Sequence, residues 1–273
     1  MKKILANDIK KLQVDMLRKI HDFCVENGIV YTLAHGTLIG AIRHHGYIPW
    51  DDDIDIMMPR PDYNRFLSLF NGKVENLRVL APEIDVNYYA PYGNICDERT
   101  LLIESGVSHR SIPIGIKIDV FPVDGVPEDD LEFEKCMKKM LFYNKVLYFK
   151  RKKFGSINGL KDFSIWVGVR GLLSVISYGF VQKKIMKLAA KNNYNESKYV
   201  AILVFPSHDS FFSCKRIERV VFDSTVKVEF ENNYFFAPKG YDSYLRTFYG
   251  DYMQLPSKEK RIPHHGFTAY WID

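Results

Sequence analysis

The sequence predicts an α+β (mixed α/β) fold in which helices flank a mixed β-sheet, and three observations lead to that class. Apolar residues near the N-terminus, from Ile9 to Phe23, recur at helical spacing. Apolar residues from Ile114 to Phe121 alternate as in a half-buried strand. Helix and strand patterns alternate at first and then give way to further strands, with no internal repeat. This order is typical of a mixed sheet, and we expect one domain over residues 1–273.

The first helix is predicted from five apolar residues that share one face, namely Ile9, Leu12, Met16, Ile20 and Phe23. Asn7 or Asp8 is expected to cap its start, and the pair Asn27-Gly28 is expected to end it. Residues 29–33 then form a short β-rich run.

A glycine turn at His35-Gly36-Thr37 is predicted to open a second, short helix. Residues 44–49 are expected to form a loop and residues 53–58 a strand. Pro59-Arg60-Pro61 should end that strand, because proline cannot donate to a sheet ladder. Asp62 is then expected to cap a third helix.

The rest of the chain is predicted as follows: residues 78–121 rich in strands, residues 128–149 and 163–192 helical, residues 217–236 a β-hairpin, and residues 239–249 a helix. The helical and basic segment at about 128–195 is expected to be inserted in the domain or appended to it.

Charge and cysteine content limit the classes of function. The 38 lysines and arginines exceed the 33 acidic residues, which gives a net charge of +5. This excess suits nucleotide phosphates or an anionic membrane surface. No zinc-finger or RNA-binding signature is visible, so nucleic acid is not expected as a partner.

The four cysteines are far apart, which indicates a reducing cytoplasm. The N-terminus lacks a continuous apolar run, so no signal peptide is expected.

The segment from Trp50 to Ile56 holds four carboxylates within five residues. At a separation of ~4 Å each pair of such charges costs about 1 kcal/mol even in water. In the predicted strand Asp53 and Asp55 lie on one face, because residues two apart face the same side. Two such oxygen ligands suit Mg²⁺ or Mn²⁺. A solvated acidic turn is the alternative, although the apolar alternation around the acids disfavours it.

Phosphate and further metal contacts are predicted on either side of this strand. Gly36 to Gly40 forms a glycine turn that opens a helix, an arrangement in which backbone N–H groups bind phosphate. Arg43 on that helix could pair with a phosphate oxygen or lie on the surface. Asp119 lies in an apolar strand and needs a partner there, either as a third metal ligand, as a base for an acceptor hydroxyl, or in a structural hydrogen bond.

Three stretches of the chain resemble the LicD family of phosphotransferases, which is related to the fukutin group. The first runs from His35-Gly36-Thr37-Leu38-Ile39-Gly40-Ala41-Ile42-Arg43 through Gly46-Tyr47-Ile48-Pro49-Trp50 to Asp51-Asp52-Asp53-Ile54-Asp55-Ile56. The second is Ile118-Asp119-Val120-Phe121-Pro122-Val123-Asp124. The third is Tyr249-Gly250-Asp251-Tyr252-Met253-Gln254-Leu255-Pro256, followed by Lys260-Arg261 and His264-His265. They span nearly the whole chain in the family's order.

The resemblance implies a nucleotidyltransferase-like fold and a metal-dependent phosphotransferase. The family moves phosphocholine, or a related phospho-alcohol, from a CDP-linked donor to a hydroxyl of a cell-surface glycan or its lipid-linked precursor. The catalytic and metal-binding roles fall on Asp53, Asp55 and Asp119, with Mg²⁺ or Mn²⁺ as cofactor. The candidates for binding the donor and its phosphates are Gly36, Thr37, Arg43, Asp51, Arg261, His264 and His265. A choline group would also need an aromatic wall, for which the candidates are Tyr47, Trp50, Tyr88, Tyr89 and Tyr92.

Residues 163–181 form an apolar run followed by lysines. Arg170 near the middle of the run argues against a membrane span. Two alternatives stay open: a helix at the interface of an anionic membrane, which would place a cytoplasmic protein peripherally on its inner face, and a helix packed on the domain.

The alternative enzyme is a nucleotide-sugar glycosyltransferase, in which Asp51 with Asp53, or Asp53 with Asp55, would serve as the metal motif. A glycosyltransferase would break a C–O bond at the sugar, whereas a phosphotransferase breaks a P–O bond. A metal-binding or membrane-bound scaffold protein is the non-enzyme alternative, and it predicts no turnover with any donor.

Overall fold

A computed structural model of the chain describes residues 1–104, 113–151, 171, 175–204, 215–262 and 266–272. These residues form six α-helices: α1 (Ala6–Glu26), α2 (His35–His44), α3 (Arg60–Leu69), α4 (Asp130–Arg151), α5 (Tyr178–Ala189) and α6 (Tyr241–Tyr249). Short 3₁₀ turns lie at Tyr194–Glu196, Arg219–Phe222 and Lys258–Lys260. The predicted mixed α/β class is confirmed.

The main sheet contains seven strands: β2 (Thr32–Leu33), β3 (Asp55–Pro59), β4 (Leu77–Leu80), β5 (Gly93–Asp97), β7 (Lys117–Val126), β8 (Tyr199–Ala201) and β9 (Ile217–Glu218). Five of them follow the order β2-β3-β7-β5-β4, while β8 pairs with the far end of β7 and with β9. The β3–β7 pair is parallel and its neighbours are antiparallel, which makes the sheet mixed.

The two parallel strands are buried on both faces. Ile56, Met57 and Met58 of β3 are fully buried, as are Ile118 and Val120 of β7. Strands covered on both sides are expected to be apolar throughout, so a carboxylate in such a strand is costly and calls for a compensating partner. Both strands nevertheless carry an aspartate near the N-terminal end, Asp55 in β3 and Asp119 in β7, and these aspartates mark the candidate site.

A second sheet brings distant parts of the sequence together. It consists of β1 (Lys2–Ile4), β6 (Thr100–Glu104) and β12 (Phe267–Trp271), in the order β1-β12-β6 and antiparallel throughout. β12, from the C-terminal part of the sequence, therefore lies between β1, from the N-terminal part, and β6, from the middle.

The predicted hairpin is confirmed as β10 (Thr225–Phe230) and β11 (Asn233–Pro238). Its two-residue turn, Glu231-Asn232, has φ values of 50° and 58°, as a twist-compatible hairpin turn requires. The Glu231 N–H donates to the carbonyl of His45, and the Tyr47 N–H donates to the Glu231 carboxylate. The hairpin tip is thereby bound to the loop that precedes the acidic segment.

Several predicted boundaries differ from the structure. The first helix begins after Leu5, which is its N-cap, so neither Asn7 nor Asp8 caps it. Asp62 lies inside the first turn of α3, and its carboxylate accepts the Val30 N–H across the loop, so the predicted cap is wrong.

Two strands are also shifted. The predicted strand 53–58 begins at Asp55, because pairing with β7 starts at that residue. The strand predicted at 114–121 is the ten-residue β7, which continues to Val126 because β8 pairs with its end.

The basic, apolar run at 163–181 lies mostly outside the described residues, as does most of the helix predicted at 163–192; α5 covers the described part of that helix. Among the residues that the structure describes, no helix has the length and apolar character needed to cross a bilayer. The described cysteines, Cys24, Cys96 and Cys136, are buried and form no disulfide with one another, while Cys214 lies outside the described residues.

Candidate functional site

The acidic loop between α2 and β3 brings three carboxylates close together. One carboxylate oxygen from each of Asp51, Asp52 and Asp53 lies within 4.8 Å of the others, and all three residues are half-buried. The loop is fixed at its start by a turn in which the Asp51 N–H donates to the carbonyl of Ile48 at 2.8 Å. Asp53 therefore belongs to this loop and does not share a strand face with Asp55.

Asp55 and Asp119 are the second acidic group, and they are neighbours across the parallel pair β3–β7. The strand register places Asp55 opposite Asp119. The two residues are 9% and 8% exposed. The Asp55 N–H donates to the Thr37 hydroxyl at 2.9 Å, which ties the strand to the first turn of α2. The Asp119 N–H donates to the carbonyl of Ile54 at 3.0 Å.

The electrostatics of these acids favour a cation beside them. Burial, followed by repulsion from Asp53, raises the pKa of Asp51 to about 7. Burial, followed by repulsion from Asp53 and Asp119, raises the pKa of Asp55 well above its ordinary value. Carboxylates held together in this way are stabilised by a cation, since each like-charge contact disfavours the ionised form.

Gly36 lies in the first turn of α2, against the acidic loop. A Cβ atom on this residue would come within 2.5 Å of Oδ2 of Asp51. Glycine therefore lets the Asp51 carboxylate approach the helix N-terminus, and a larger residue would displace that carboxylate. The positive end of the helix dipole favours a negative charge at this position, whether that charge is Asp51 or a phosphate.

His35, at the start of α2, has a left-handed backbone with φ of 45°. Its half-buried side chain contacts α6, because Nδ1 lies 3.0 Å from the hydroxyl of Tyr249 and 3.4 Å from that of Tyr244. Burial lowers the pKa of His35 to about 4, although Asp53 nearby opposes the shift. The ring is therefore neutral at pH 7. Non-glycine residues in this conformation cluster at functional sites.

Asp119 accepts two side-chain donors on the same oxygen. The ammonium of Lys117 lies 2.7 Å from Oδ1 of Asp119, and the amide of Asn94 donates to that oxygen at 2.5 Å. Asn94 is fully buried on β5, directly opposite Asp119. Sequence reasoning missed both residues. Lys117 could have been found, since it is two positions from Asp119 and so shares its strand face, whereas only the β5–β7 register reveals Asn94.

A narrow cavity opens beside the acids. Its polar lining consists of Gln13, Asp53, Lys117 and Asp119. A neighbouring cleft of about 300 Å³ shares Ile9 and Phe267 with this cavity and is also lined by Lys3, Lys10 and Asp52. The Gln13 amide donates to the carbonyls of Asp52 (3.3 Å) and Lys117 (3.4 Å) and so links the acidic loop to β7. The acids are accessible from this side.

Two guanidinium groups lie at the other end of the acidic loop. Arg43 donates to the carbonyls of Tyr252 and Gln254, and its pKa is lowered by burial and then by the charge of Arg261. Arg261 donates to the carbonyl of Pro256 and lies over the ring of Trp50 at 5.6 Å. The two predicted phosphate contacts are thus near enough to influence each other electrostatically, and each guanidinium also holds the C-terminal segment.

The remaining sequence candidates are placed as follows. His264 and His265 lie outside the described residues. Of the proposed aromatic wall, Tyr88 is 2% exposed and donates to Asn94, so it is a core residue in this structure. The Tyr47 hydroxyl donates to Gln13, while Tyr92 packs on Phe121 with ring centroids 4.6 Å apart. The five rings do not form one wall.

The residues present fit a divalent metal ion. Asp51, Asp52, Asp53, Asp55 and Asp119 offer oxygen ligands only, the set that Mg²⁺ and Mn²⁺ prefer. A cation among them would also relieve the repulsion that raises the pKa values of Asp51 and Asp55.

Comparison with known proteins gives a family match over this site. Residues 28–124 match the model of the "LicD/FKTN/FKRP, nucleotidyltransferase domain" family, a range that contains the acidic loop, Asn94 and Asp119. The chain is 31% identical over 273 residues to the lipopolysaccharide cholinephosphotransferase LicD of Haemophilus influenzae, covering 99% of both chains.

Two other relatives match over part of the chain. An uncharacterised protein of Rickettsia typhi is 31% identical over 144 residues, which are 52% of this chain and 43% of that protein. Mannosyltransferase regulator 4 of Saccharomyces cerevisiae is 36% identical over 70 residues, which are 24% of this chain and 6% of that protein.

Proposed function

The chain belongs to the LicD/FKTN/FKRP family, and from this membership we propose that it transfers phosphocholine, or a related phospho-alcohol, from a CDP-linked donor to a hydroxyl of a cell-surface glycan or its lipid-linked precursor. The observation that carries the proposal is the full-length similarity to a lipopolysaccharide cholinephosphotransferase. The clustering of five aspartates around α2, β3 and β7 supports the same reaction.

The acids would hold the metal that this reaction requires. We assign Asp53, Asp55 and Asp119 as its ligands, since Asp53 and Asp119 line one cavity and Asp55 lies opposite Asp119. A bound Mg²⁺ or Mn²⁺ would neutralise charge on the donor diphosphate and on the departing nucleotide. Asp51 and Asp52 are held close enough to Asp53 to serve as an alternative set.

Other residues would bind and orient the substrates. Gly36 and Thr37, in the first turn of α2, present the positive end of the helix to the donor phosphates. Arg43 feels the charge of Arg261, which lies over the Trp50 ring, and both guanidinium groups would contact phosphate oxygens as charged donors. Asp119, on the cavity wall, would orient the acceptor hydroxyl and accept its proton if it is not a metal ligand.

We propose that residues 1–273 form one catalytic domain. Transfer by this chain can be tested with CDP-choline that carries a labelled phosphocholine group and with a lipopolysaccharide acceptor. We expect release of CMP and appearance of the label on the acceptor, both lost on chelation and restored by Mg²⁺. Asp53→Asn and Asp55→Asn should each abolish transfer while the thermal unfolding transition stays cooperative. Lys73→Ala, an exposed change far from the site, is the control.

Three results would overturn the proposal. They are full activity in either aspartate variant, transfer of a sugar from a nucleotide-sugar donor with no turnover of CDP-linked donors, and no turnover with any donor. The second would identify a glycosyltransferase and the third a protein without enzymatic activity.

A further inference from the structure

We propose that Asn94 is a positioning residue that fixes the Asp119 carboxylate for metal binding, and that the Tyr88 hydroxyl in turn fixes the Asn94 amide. The inference rests on the proposed function, because it assumes that Asp119 contributes to the metal site. It is carried by a chain of two buried hydrogen bonds, from the Asn94 amide to Asp119 and from the Tyr88 hydroxyl to Asn94.

The strand register places the first of these bonds. β5 and β7 are antiparallel, with Asn94 directly opposite Asp119, while β3 places Asp55 on the other side of Asp119. The Asp119 side chain therefore lies between an amide donor on one neighbouring strand and an acid on the other. The Asn94 amide donates to Oδ1, the same oxygen that Lys117 contacts. Two donors on one oxygen restrict rotation of the carboxylate plane.

The second bond settles which way the amide faces. An asparagine side chain can present either its carbonyl or its NH₂ group to a neighbour. The Tyr88 hydroxyl donates to Oδ1 of Asn94, and the Tyr89 hydroxyl lies 3.5 Å from the same oxygen. With its carbonyl bound to these hydroxyls, Asn94 must turn its NH₂ group towards Asp119. Reversing the amide would place the carbonyl oxygen of the fully buried Asn94 against the Asp119 carboxylate, with two acceptors face to face.

The loop that carries Tyr88 is itself held by α5. The fully buried Gln182 side chain donates to the carbonyls of Tyr88 and Ala90, both at 2.9 Å. The Tyr178 hydroxyl donates to the carbonyl of Tyr89. Tyr88 is therefore fixed from both sides, and the position of Asp119 depends on a helix outside the catalytic sheet. Groups that orient a metal ligand in this way commonly change metal affinity or activity by about 10- to 100-fold when removed.

The test measures Mn²⁺ affinity without donor, by electron paramagnetic resonance of free Mn²⁺, and the Mg²⁺ dependence of transfer. We expect Asn94→Ala to weaken Mn²⁺ binding about 10- to 100-fold and to raise the Mg²⁺ concentration for half-maximal turnover similarly. Tyr88→Phe removes one buried hydroxyl with little change in shape, so it keeps the fold and should weaken Mn²⁺ binding less, in the same direction. In the Asn94→Ala background Tyr88→Phe should have no further effect, since Tyr88 acts through Asn94.

The matched control is Asn71→Ala. The Asn71 side chain also makes two hydrogen bonds, to the N–H and carbonyl of Val79, but lies away from the acids. This variant should lose thermal stability while its Mn²⁺ affinity stays at the wild-type value.

The outcomes distinguish failure of this inference from failure of the proposed function. If wild-type protein binds Mn²⁺ and Asn94→Ala binds it equally well, the positioning role is wrong and the proposed function stands. Additive effects of Asn94→Ala and Tyr88→Phe on Mn²⁺ affinity would show that Tyr88 does not act through Asn94, which would also overturn the inference. If the wild-type protein neither binds Mn²⁺ nor responds to Mg²⁺, both the inference and the metal-dependent function are wrong.

Discussion

The Nδ1 atom of His35 lies 3.0 Å from the hydroxyl oxygen of Tyr249, across 214 positions of the sequence. This contact joins the first turn of α2 to the end of α6, and so the phosphate-type turn to the C-terminal motif. Both residues are half-buried, and the pKa of Tyr249 is raised well above its ordinary value by burial, then by Tyr244 and by the acids of the site. The first turn of α2 and the end of α6 therefore meet close to the acids of the site.

The lowered pKa of His35 should make the stability of the fold depend on pH. Its pKa is about 4 in the folded protein, against 6.5 for an ordinary histidine, so between these values the unfolded state binds more protons. The contribution of His35 to stability is thus complete above pH 6.5 and is lost as pH falls towards 4. We expect His35→Gln to flatten the pH dependence of the free energy of unfolding in this window. Urea titrations from pH 4 to 7 measure it, and an unchanged slope would contradict the burial of a neutral ring.

Replacing Gly36 by alanine should reduce activity while the fold is kept. Alanine at this position would place Cβ 2.5 Å from Oδ2 of Asp51, so the Asp51 carboxylate must shift away from the first turn of α2. Because alanine is favoured over glycine in a helix by about 0.5–1 kcal/mol, the helix itself should persist. We expect Gly36→Ala to unfold cooperatively but to transfer far more slowly than wild type. Gly72→Ala, which has open space around its Cβ, should keep wild-type activity despite its left-handed backbone.

Sequence patterns identified the acidic segment, because four carboxylates beside an apolar run are conspicuous at the level of the residues themselves. They did not reveal how the acids are grouped. The pattern paired Asp53 with Asp55 on one strand, whereas the structure places Asp53 with Asp51 and Asp52 in a loop and Asp55 opposite Asp119. That grouping depends on the register between β3 and β7, which are more than 50 positions apart in sequence, and local periodicity carries no information about it.

The same limit explains the partners that were missed. Asn94, Gln13 and His35 gain their roles from elements that are distant in sequence: β7, the acidic loop and α6. The caps assigned to Asp8 and Asp62 failed for a related reason, since tertiary contacts decide helix boundaries as much as the local residue does. Asp62, for example, is occupied by the N–H of Val30.

Asp51 predicts a stability effect opposite in sign to that of His35. Its pKa rises from 3.8 in an ordinary aspartate to about 7 in the folded protein, so the folded state binds more protons between these values. Its contribution to stability is present below pH 3.8 and is lost as pH rises through 7. Asp51→Asn should therefore raise the melting temperature of chelated protein at pH 8.

Metal binding separates the two roles open to Asp51. If it is a ligand, Mg²⁺ should stabilise wild-type protein much more than Asp51→Asn, by mass action. If Asp53, Asp55 and Asp119 hold the metal, as we propose, the variant should keep most of that shift. Thermal unfolding with chelator and with Mg²⁺ measures both effects, and a lower melting temperature of the chelated variant at pH 8 would contradict the electrostatic argument.

We expect one face of α5, which carries exposed lysines and an exposed phenylalanine, to attach to an anionic membrane. Phe180, Lys183, Lys184 and Lys187 are spaced three or four residues apart, so they share a face, and all four are exposed. Phe180 is 52% exposed and the Lys184 ammonium lies over its ring at 5.2 Å. Lysines near an anionic bilayer contribute about 1 kcal/mol each, and an aromatic ring among them adds apolar contact. A peripheral position would bring the site close to a lipid-linked acceptor.

Sedimentation with vesicles that contain phosphatidylserine tests this attachment. We expect wild-type protein to bind at low salt and to dissociate as salt screens the charges. Lys183→Glu, Lys184→Glu and Lys187→Glu combined should abolish binding, while the same three charge reversals at the exposed Lys73, Lys227 and Lys239 should weaken it only slightly. Equal losses in the two triple variants would indicate that net charge alone drives the interaction, and the α5 face would then have no specific role.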